Sequence, residues 1–236
     1  MTANADPSRI SAPAAWLAIG ASAATVLLLA SLHVLSPEFD PSWRMVSEYA
    51  FGHYGLVLSL MFLAWGVSSW ALAASIWSQA STWTAKFGLL FLIVAGIGEA
   101  MAAVFDIRHM VGHNVAGLLG VGGLPIAALL ISRNLRRGLA WQASARSLLR
   151  LAHLTWLSVV LLIGTMIVMT IQFAQMSGGK LPDHAPKVLP PGVIGLDGWA
   201  NRLIVFSFCL WVAAVAWQAI KLNARFGSDQ DHLRAE

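Results

Sequence analysis

Six continuous apolar runs, each long enough to cross a bilayer as a helix, leave this chain few folds to choose from. They are Ala14–Leu35, Tyr54–Trp77, Ala85–Phe105, Val115–Ser132, Leu151–Phe173 and Leu203–Ala224. A hydrocarbon core about 30 Å thick takes roughly 17–25 mostly apolar residues per helical crossing. Strands of a membrane barrel would be shorter and would alternate apolar with polar residues, which these runs do not. Lipid offers the backbone no hydrogen bonds, so uninterrupted helices are the physical solution. The expected fold class is all-α: a polytopic membrane protein built as a six-helix bundle over residues 14–224, with short cytoplasmic tails at 1–13 and 225–236.

Composition agrees. Hydrophobic residues make up 58% of the 236 and charged residues 11%, and the mean hydropathy is +0.69. Soluble domains carry about 25% charged residues, so a chain this poor in charge cannot cover a water-facing surface. A net charge of +4 would suit a nucleic-acid binder. The arginines, however, sit between apolar blocks and read as topology signals, so no nucleic-acid partner is expected. The single cysteine, Cys209, permits no intrachain disulfide. The first run follows a weakly basic start (Asp6, Arg9) and is long for a signal-peptide core, so it reads as an uncleaved first helix; the alternative is a cleavage site in Ala21–Ala24.

Basic residues set the expected orientation. With the N-terminus inside, ten of the fifteen (Arg9, Lys86, Arg133, Arg136, Arg137, Arg146, Arg150, Lys221, Arg225 and Arg234) face the cytoplasm. Arg44, Arg108, Lys180, Lys187 and Arg202 face the other side. Both termini are therefore expected inside, in a bacterial-type inner or plasma membrane. Trp16, Trp43, Trp77, Trp83 and Trp199 lie near helix ends and read as interfacial anchors. The prolines of Ser177–Trp199 argue for an extended excursion across the outer face. In the fourth run, Gly117, Gly120, Gly122 and Gly123 precede Pro125. Small residues allow a close helix contact, and the proline predicts a kink or a freed carbonyl.

Residues capable of chemistry gather at one end of the bundle: His33, Glu48, His53, Glu99, Asp106, His109, His113, Asp197 and Arg202. Glu99 is the sharpest of them. An acid within a bilayer segment is costly, and it marks either a functional position or a structural pair. Glu99 and Asp106 are seven residues apart and would share a helix face at different depths. A tight hairpin would bring His109 and His113 near Asp106, at the bottom of one outward-facing polar cavity. Zinc takes three or four His, Asp, Glu or Cys ligands, which His53, Asp106, His109 and His113, or His33, would supply. The pair His109 and His113 has only the i,i+4 relation and lacks the Glu of HExxH, and no GxSxG element is present.

The stretch Leu35-Ser36-Pro37 followed by Met45-Val-Ser-Glu-Tyr-Ala-Phe-Gly-His-Tyr-Gly55 resembles the beginning of the DUF998 family, prokaryotic membrane proteins of unknown function. Phe105-Asp106, His113-Asn-Val-Ala-Gly117 and Gly195-Leu-Asp-Gly-Trp-Ala-Asn-Arg202 look like its later elements, in order. The departure follows the third run, where Asp106-Ile-Arg-His109 stands in place of the proline common in relatives. The resemblance implies a six-helix membrane domain and no substrate. Its motif positions highlight Ser47, Glu48, Tyr49, Asp106, His113, Gly117 and Arg202, with Ser47 or Glu48 meeting Arg202 or His113 in a clamp.

Three functions stay open. One is recognition or movement of a membrane lipid or small amphiphile, with Ser47, Glu48, Tyr49, His53 and Arg202 as ligand-binding candidates. The second is a metal-assisted membrane hydrolase, with Glu48, Glu99, Asp106 and His113 as catalytic candidates. The third is a non-catalytic subunit of a membrane complex, in which the polar cluster is a structural network.

Overall fold

The structure is a computed structural model that describes residues 10–176 and 188–235, with side chains as far as Phe226. Lys180, Pro182, His184, Pro186 and Lys187 lie outside the described residues, as do the side chains of His232 and Arg234.

Six crossings form, as the apolar runs require, and no strand occurs among the described residues. Helix α1 spans Ala12–Leu35, with Pro13 in its first turn, where a missing N–H costs nothing. Helix α2 spans Gly55–Ser75 and α3 Trp83–Val104. Thr82 caps α3 by accepting from the Ala85 N–H at 3.2 Å. The fourth crossing is composite: α4 at Met110–Gly117, a wide π turn at Leu118–Gly122, then α5 at Gly123–Leu135. Helix α6 spans Gln142–Met176 and α7 Asp197–Ala235.

Several ends differ from the expected ones. The fourth crossing begins at Met110, five residues before the apolar run, because the Asp106 turn places His109 at the N-cap, where its carbonyl accepts the His113 N–H at 2.9 Å. Helices α6 and α7 extend into polar sequence, so residues 225–235 continue α7 and do not form a separate irregular tail. Of the segment before α7, residues 188–196 form neither helix nor strand, and a turn at Pro190–Val193 places Gly192 at φ +90°, a conformation only glycine adopts at little cost.

Sequential helices pack side by side, and α7 returns to α1, which closes the ring. Helix α7 also reaches across to α2 and α5. Its inward residues, Phe208, Trp211, Val212 and Val215, are fully buried. Small residues set the closest approaches. A β-carbon on Gly66 would strike the Gly96 carbonyl, and one on Gly98 would strike the backbone of Gly120 and Ala116. The α3 backbone therefore lies directly against the π turn. Helix α6 is the least covered, with Leu157, Val160, Ile163, Ile167 and Ile171 turned outward as a lipid-facing surface demands.

The two ends of the ring are held differently. At the Arg133 end, Asn134 accepts from Thr82 Oγ1 at 3.0 Å and donates to the Gln79 carbonyl at 3.1 Å. Trp141 Nε1 donates to Gln79 Oε1 at 3.3 Å. At the opposite end, the loop between α1 and α2 folds inward through a short 3-10 helix, Val46–Phe51, and buries Glu48 and Tyr49. Trp16, Trp77, Trp83 and Trp199 are exposed, as anchors should be. Trp43 is not: it lies buried, close against Gly195, with the Arg44 guanidinium 4.9 Å from its ring centroid.

Candidate functional site

Chemistry-bearing residues do gather at the loop end, but they divide into three places. One is a cavity of about 190 Å³ lined by α2, α3, the fourth crossing, α6 and α7, with Met45–Ser47 over one end. Its walls are chiefly apolar: Phe62, Trp65, Ala102, Ala116, Leu162 and Ile204. The cavity that holds Glu99 is thus an apolar chamber with a few polar points.

Glu99 is the main polar point. It lies on α3 five residues before the helix end, roughly 8 Å along the axis, and is 4% exposed. Ser69 Oγ on α2 donates to its Oε2 at 2.7 Å. Its other oxygen, Oε1, is buried and has no hydrogen-bond partner among the described residues. The indole Nε1 of Trp65, one turn before Ser69 and on the same face, is likewise buried without a partner. Two unsatisfied polar atoms in one chamber are unusual, since nearly all buried polar groups are paired. Ser47, His113 and Asn201 complete the lining. Asn201 Oδ1 is occupied by the Val46 N–H at 2.9 Å, and His113 Nδ1 donates to the Phe105 carbonyl at 3.0 Å.

A second, polar pocket of about 350 Å³ lies between the short 3-10 helix, the start of α2 and the α3–α4 turn. It holds His53, Asp106 and Arg108. Asp106 accepts from the Arg108 N–H at 2.9 Å and pairs with that guanidinium at 3.0 Å, while Arg108 also donates to the Ala50 carbonyl at 2.8 Å. Slight burial works against the Asp106 carboxylate, but the Arg108 N–H, the guanidinium and His109 outweigh it and hold Asp106 below the ordinary carboxylate range.

Arg202 forms the third cluster. Only 6% exposed, it directs Nε to His33 Nε2 at 2.7 Å, Nη1 to the carbonyls of Arg44 and Gly198 at 2.7 and 3.0 Å, and Nη2 to the Tyr49 hydroxyl at 3.0 Å. His33 Nδ1 in turn donates to the Leu29 carbonyl at 2.7 Å, which leaves Nε2 as the acceptor. Four of the five guanidinium hydrogens are thereby used to pin α1, the loop and α7 together.

This arrangement corrects several sequence expectations. Helix α3 stops at Val104, so Asp106 lies on a turn and shares no helix face with Glu99. The two acids lie in different pockets, with Ala102 common to the linings of both. Glu48 does not meet Arg202 or His113: it pairs with Arg44 at 2.7 Å and accepts from the Met45 N–H at 2.8 Å. Ser47 and His113 do share a lining, as do His53 and Asp106. His109 lies 3.4 Å from Asp106, whereas His113 turns to Phe105. Among the described residues, no three His, Cys, Asp or Glu side chains gather into a set suited to a metal ion. Trp65, Phe62, Ser69 and Asn201 were not singled out from the sequence. A signal existed for Trp65, because it falls in the middle of an apolar run and away from the interfacial ends where tryptophan is common.

Six apolar crossings around an internal chamber define a multi-pass membrane protein. A family model described as "Protein of unknown function (DUF998)" matches residues 17–218, and the chain belongs to that family. Comparisons with curated proteins and with solved structures give no match.

Proposed function

We propose that this protein recognises a small amphiphile, which places its polar head at Glu99 and a compact apolar body against Phe62, Trp65, Leu162 and Ile204. The observation that carries the reading is the unpartnered Glu99 Oε1, buried in an apolar chamber of about 190 Å³. Leaving such an oxygen unsatisfied costs about 1–3 kcal/mol, which a ligand donor would recover. An apolar cavity of about 150 Å³ is known to hold benzene, so this chamber suits one ring or a short branched group and is too small for a two-chain phospholipid. Positive-inside placement of Arg133, Arg136, Arg137, Arg146 and Arg150 supports an orientation in which the Ser47 and His113 end of the chamber faces outward. Arg202, with its donors committed to the protein, serves this reading as a structural clamp for the roof.

Glu99→Gln tests it. The amide oxygen can still accept from Ser69, so insertion and folding are expected to survive. Mass spectrometry of the purified full chain should find a small amphiphile on the wild type and at least tenfold less on the variant, the loss corresponding to about 1.4 kcal/mol. Equal occupancy of the two proteins would end the proposal.

A further inference from the structure

We infer that the ligand is a compact lipophilic amine with an adjacent oxygen, bound as its cation in exchange for a proton on Glu99. The inference rests on the proposed use of the chamber and adds to it the charge and shape of the ligand.

Three features of the chamber point the same way. First, a carboxyl group 4% exposed has one neutral partner among the described residues, the Ser69 hydroxyl, and no described Lys or Arg lines the chamber. An ionised carboxylate there is costly without a countercharge, so the site takes either a proton or a cation from outside. Second, Phe62 and Trp65 both line the chamber and stack with ring centroids 6.4 Å apart and planes 8° from parallel. Phe208 supports Trp65 edge-on at 5.8 Å. Aromatic surfaces of this kind attract organic cations through the ring quadrupole, and do so more strongly when water is excluded. Third, the Trp65 N–H has no acceptor. A bare alkylammonium offers only donors; an amine with a neighbouring hydroxyl or ether oxygen would satisfy Glu99 and Trp65 together.

The exchange balances without any further reactant. The carboxylic acid of Glu99 releases its proton to water, and the carboxylate so formed pairs with the ammonium: Glu99-COOH plus R-NH3+ gives the ion pair plus H+. No covalent bond other than O–H is broken. Ser69 Oγ donates to Oε2 in both states, so the carboxyl group need not rotate. Ser47, His113 and Asn201 place polar atoms at the roofed end, where a proton would leave.

The test uses the full chain in detergent or nanodiscs and three ring-sized probes: 2-amino-1-phenylethanol, benzyl alcohol and phenylacetate. The amine is expected to bind at least tenfold tighter than either other probe. Calorimetry in buffers of different ionisation enthalpy should show about one proton released per amine bound, and affinity should fall about tenfold for each unit by which pH is lowered where the proton competes. Glu99→Gln should remove the amine preference and the proton release while benzyl alcohol binding persists. Trp65→Phe should keep the cation preference and lose the advantage of 2-amino-1-phenylethanol over 2-phenylethylamine. If benzyl alcohol or phenylacetate binds as well as the amine, the charge assignment is wrong while the amphiphile site stands. If no probe binds and the purified protein carries no amphiphile, the site itself is wrong.

Discussion

Arg202 and Glu99 are both ionisable and both buried near one end of the bundle, yet their surroundings give them opposite roles. Arg202 has partners for four N–H hydrogens, so its removal takes a donor from His33 Nε2, the Tyr49 hydroxyl and the carbonyls of Arg44 and Gly198. Arg202→Ala should therefore cost about 3 kcal/mol or more. Arg202→Lys should recover only part of that, because a single ammonium cannot reproduce the guanidinium fork. Thermal unfolding in detergent, followed by monodispersity, checks both. Retention of wild-type stability by Arg202→Ala would remove the clamp. Glu99 has one partner and one free oxygen among the described residues, and the proposed ligand site rests on that free oxygen. The sequence exposed Glu99 because an acid in an apolar run is anomalous by itself. It concealed Ser69 and Trp65, because serine is ordinary in membrane helices and eleven tryptophans invite a single interfacial explanation. Which of them meets Glu99 depends on how α2 and α3 rotate against each other, and no local pattern states that. Glu48 misled for the same reason: Arg44, four residues before it, is the nearer cation.

At the scale of elements, the fourth crossing decides the shape of the chamber. Its glycines and Pro125 announced a disturbance, but not its form, which is a π turn at Leu118–Gly122. Proline has no N–H to offer the Val121 carbonyl and crowds it, so a wider turn just ahead of Pro125 relieves the helix. Gly120, within that turn, lies against the backbone of Gly98 and Glu99. Pro125→Ala should let this stretch relax toward a regular α-helix. One residue of register rotates a helix by about 100°, which would turn Ala116 and Gly117 away from the chamber. We predict a folded protein that loses amphiphile at least tenfold, read as bound ligand per chain. Undiminished ligand in Pro125→Ala would show that the π turn is not needed for the site. Helix lengths were legible only where lipid imposes them. Beyond the apolar runs, α6 and α7 continue through polar residues under no such constraint, and their ends could not be read.

The whole molecule is a closed ring of six crossings, and this was the most legible level because burial of backbone polar groups in lipid leaves almost no alternative. The division of the polar cluster into separate places was not legible. It arises from the turn at Asp106 and the inward-folded Val46–Phe51 segment, both products of tertiary packing. Orientation is a property of the whole chain as well. The basic loop around Gly138 should lie in the cytoplasm and the Ser36–Gly52 loop outside, so a membrane-impermeant thiol reagent should label Ser42→Cys and spare Gly138→Cys in intact cells. The reverse labelling pattern would invert the molecule and place the chamber mouth inside.

A ligand site in the chamber requires one atom, Glu99 Oε1, to be free and reachable within the membrane. Diisopropylcarbodiimide is small and apolar, reacts with carboxyl groups, and partitions into lipid. Applied to the full chain and mapped by peptide mass spectrometry, it should modify Glu99 ahead of Glu48, Asp106 and Asp197, and 2-amino-1-phenylethanol should slow that modification at least tenfold. Labelling that spares Glu99, or proceeds at the same rate with the amine present, would contradict a ligand site in the chamber.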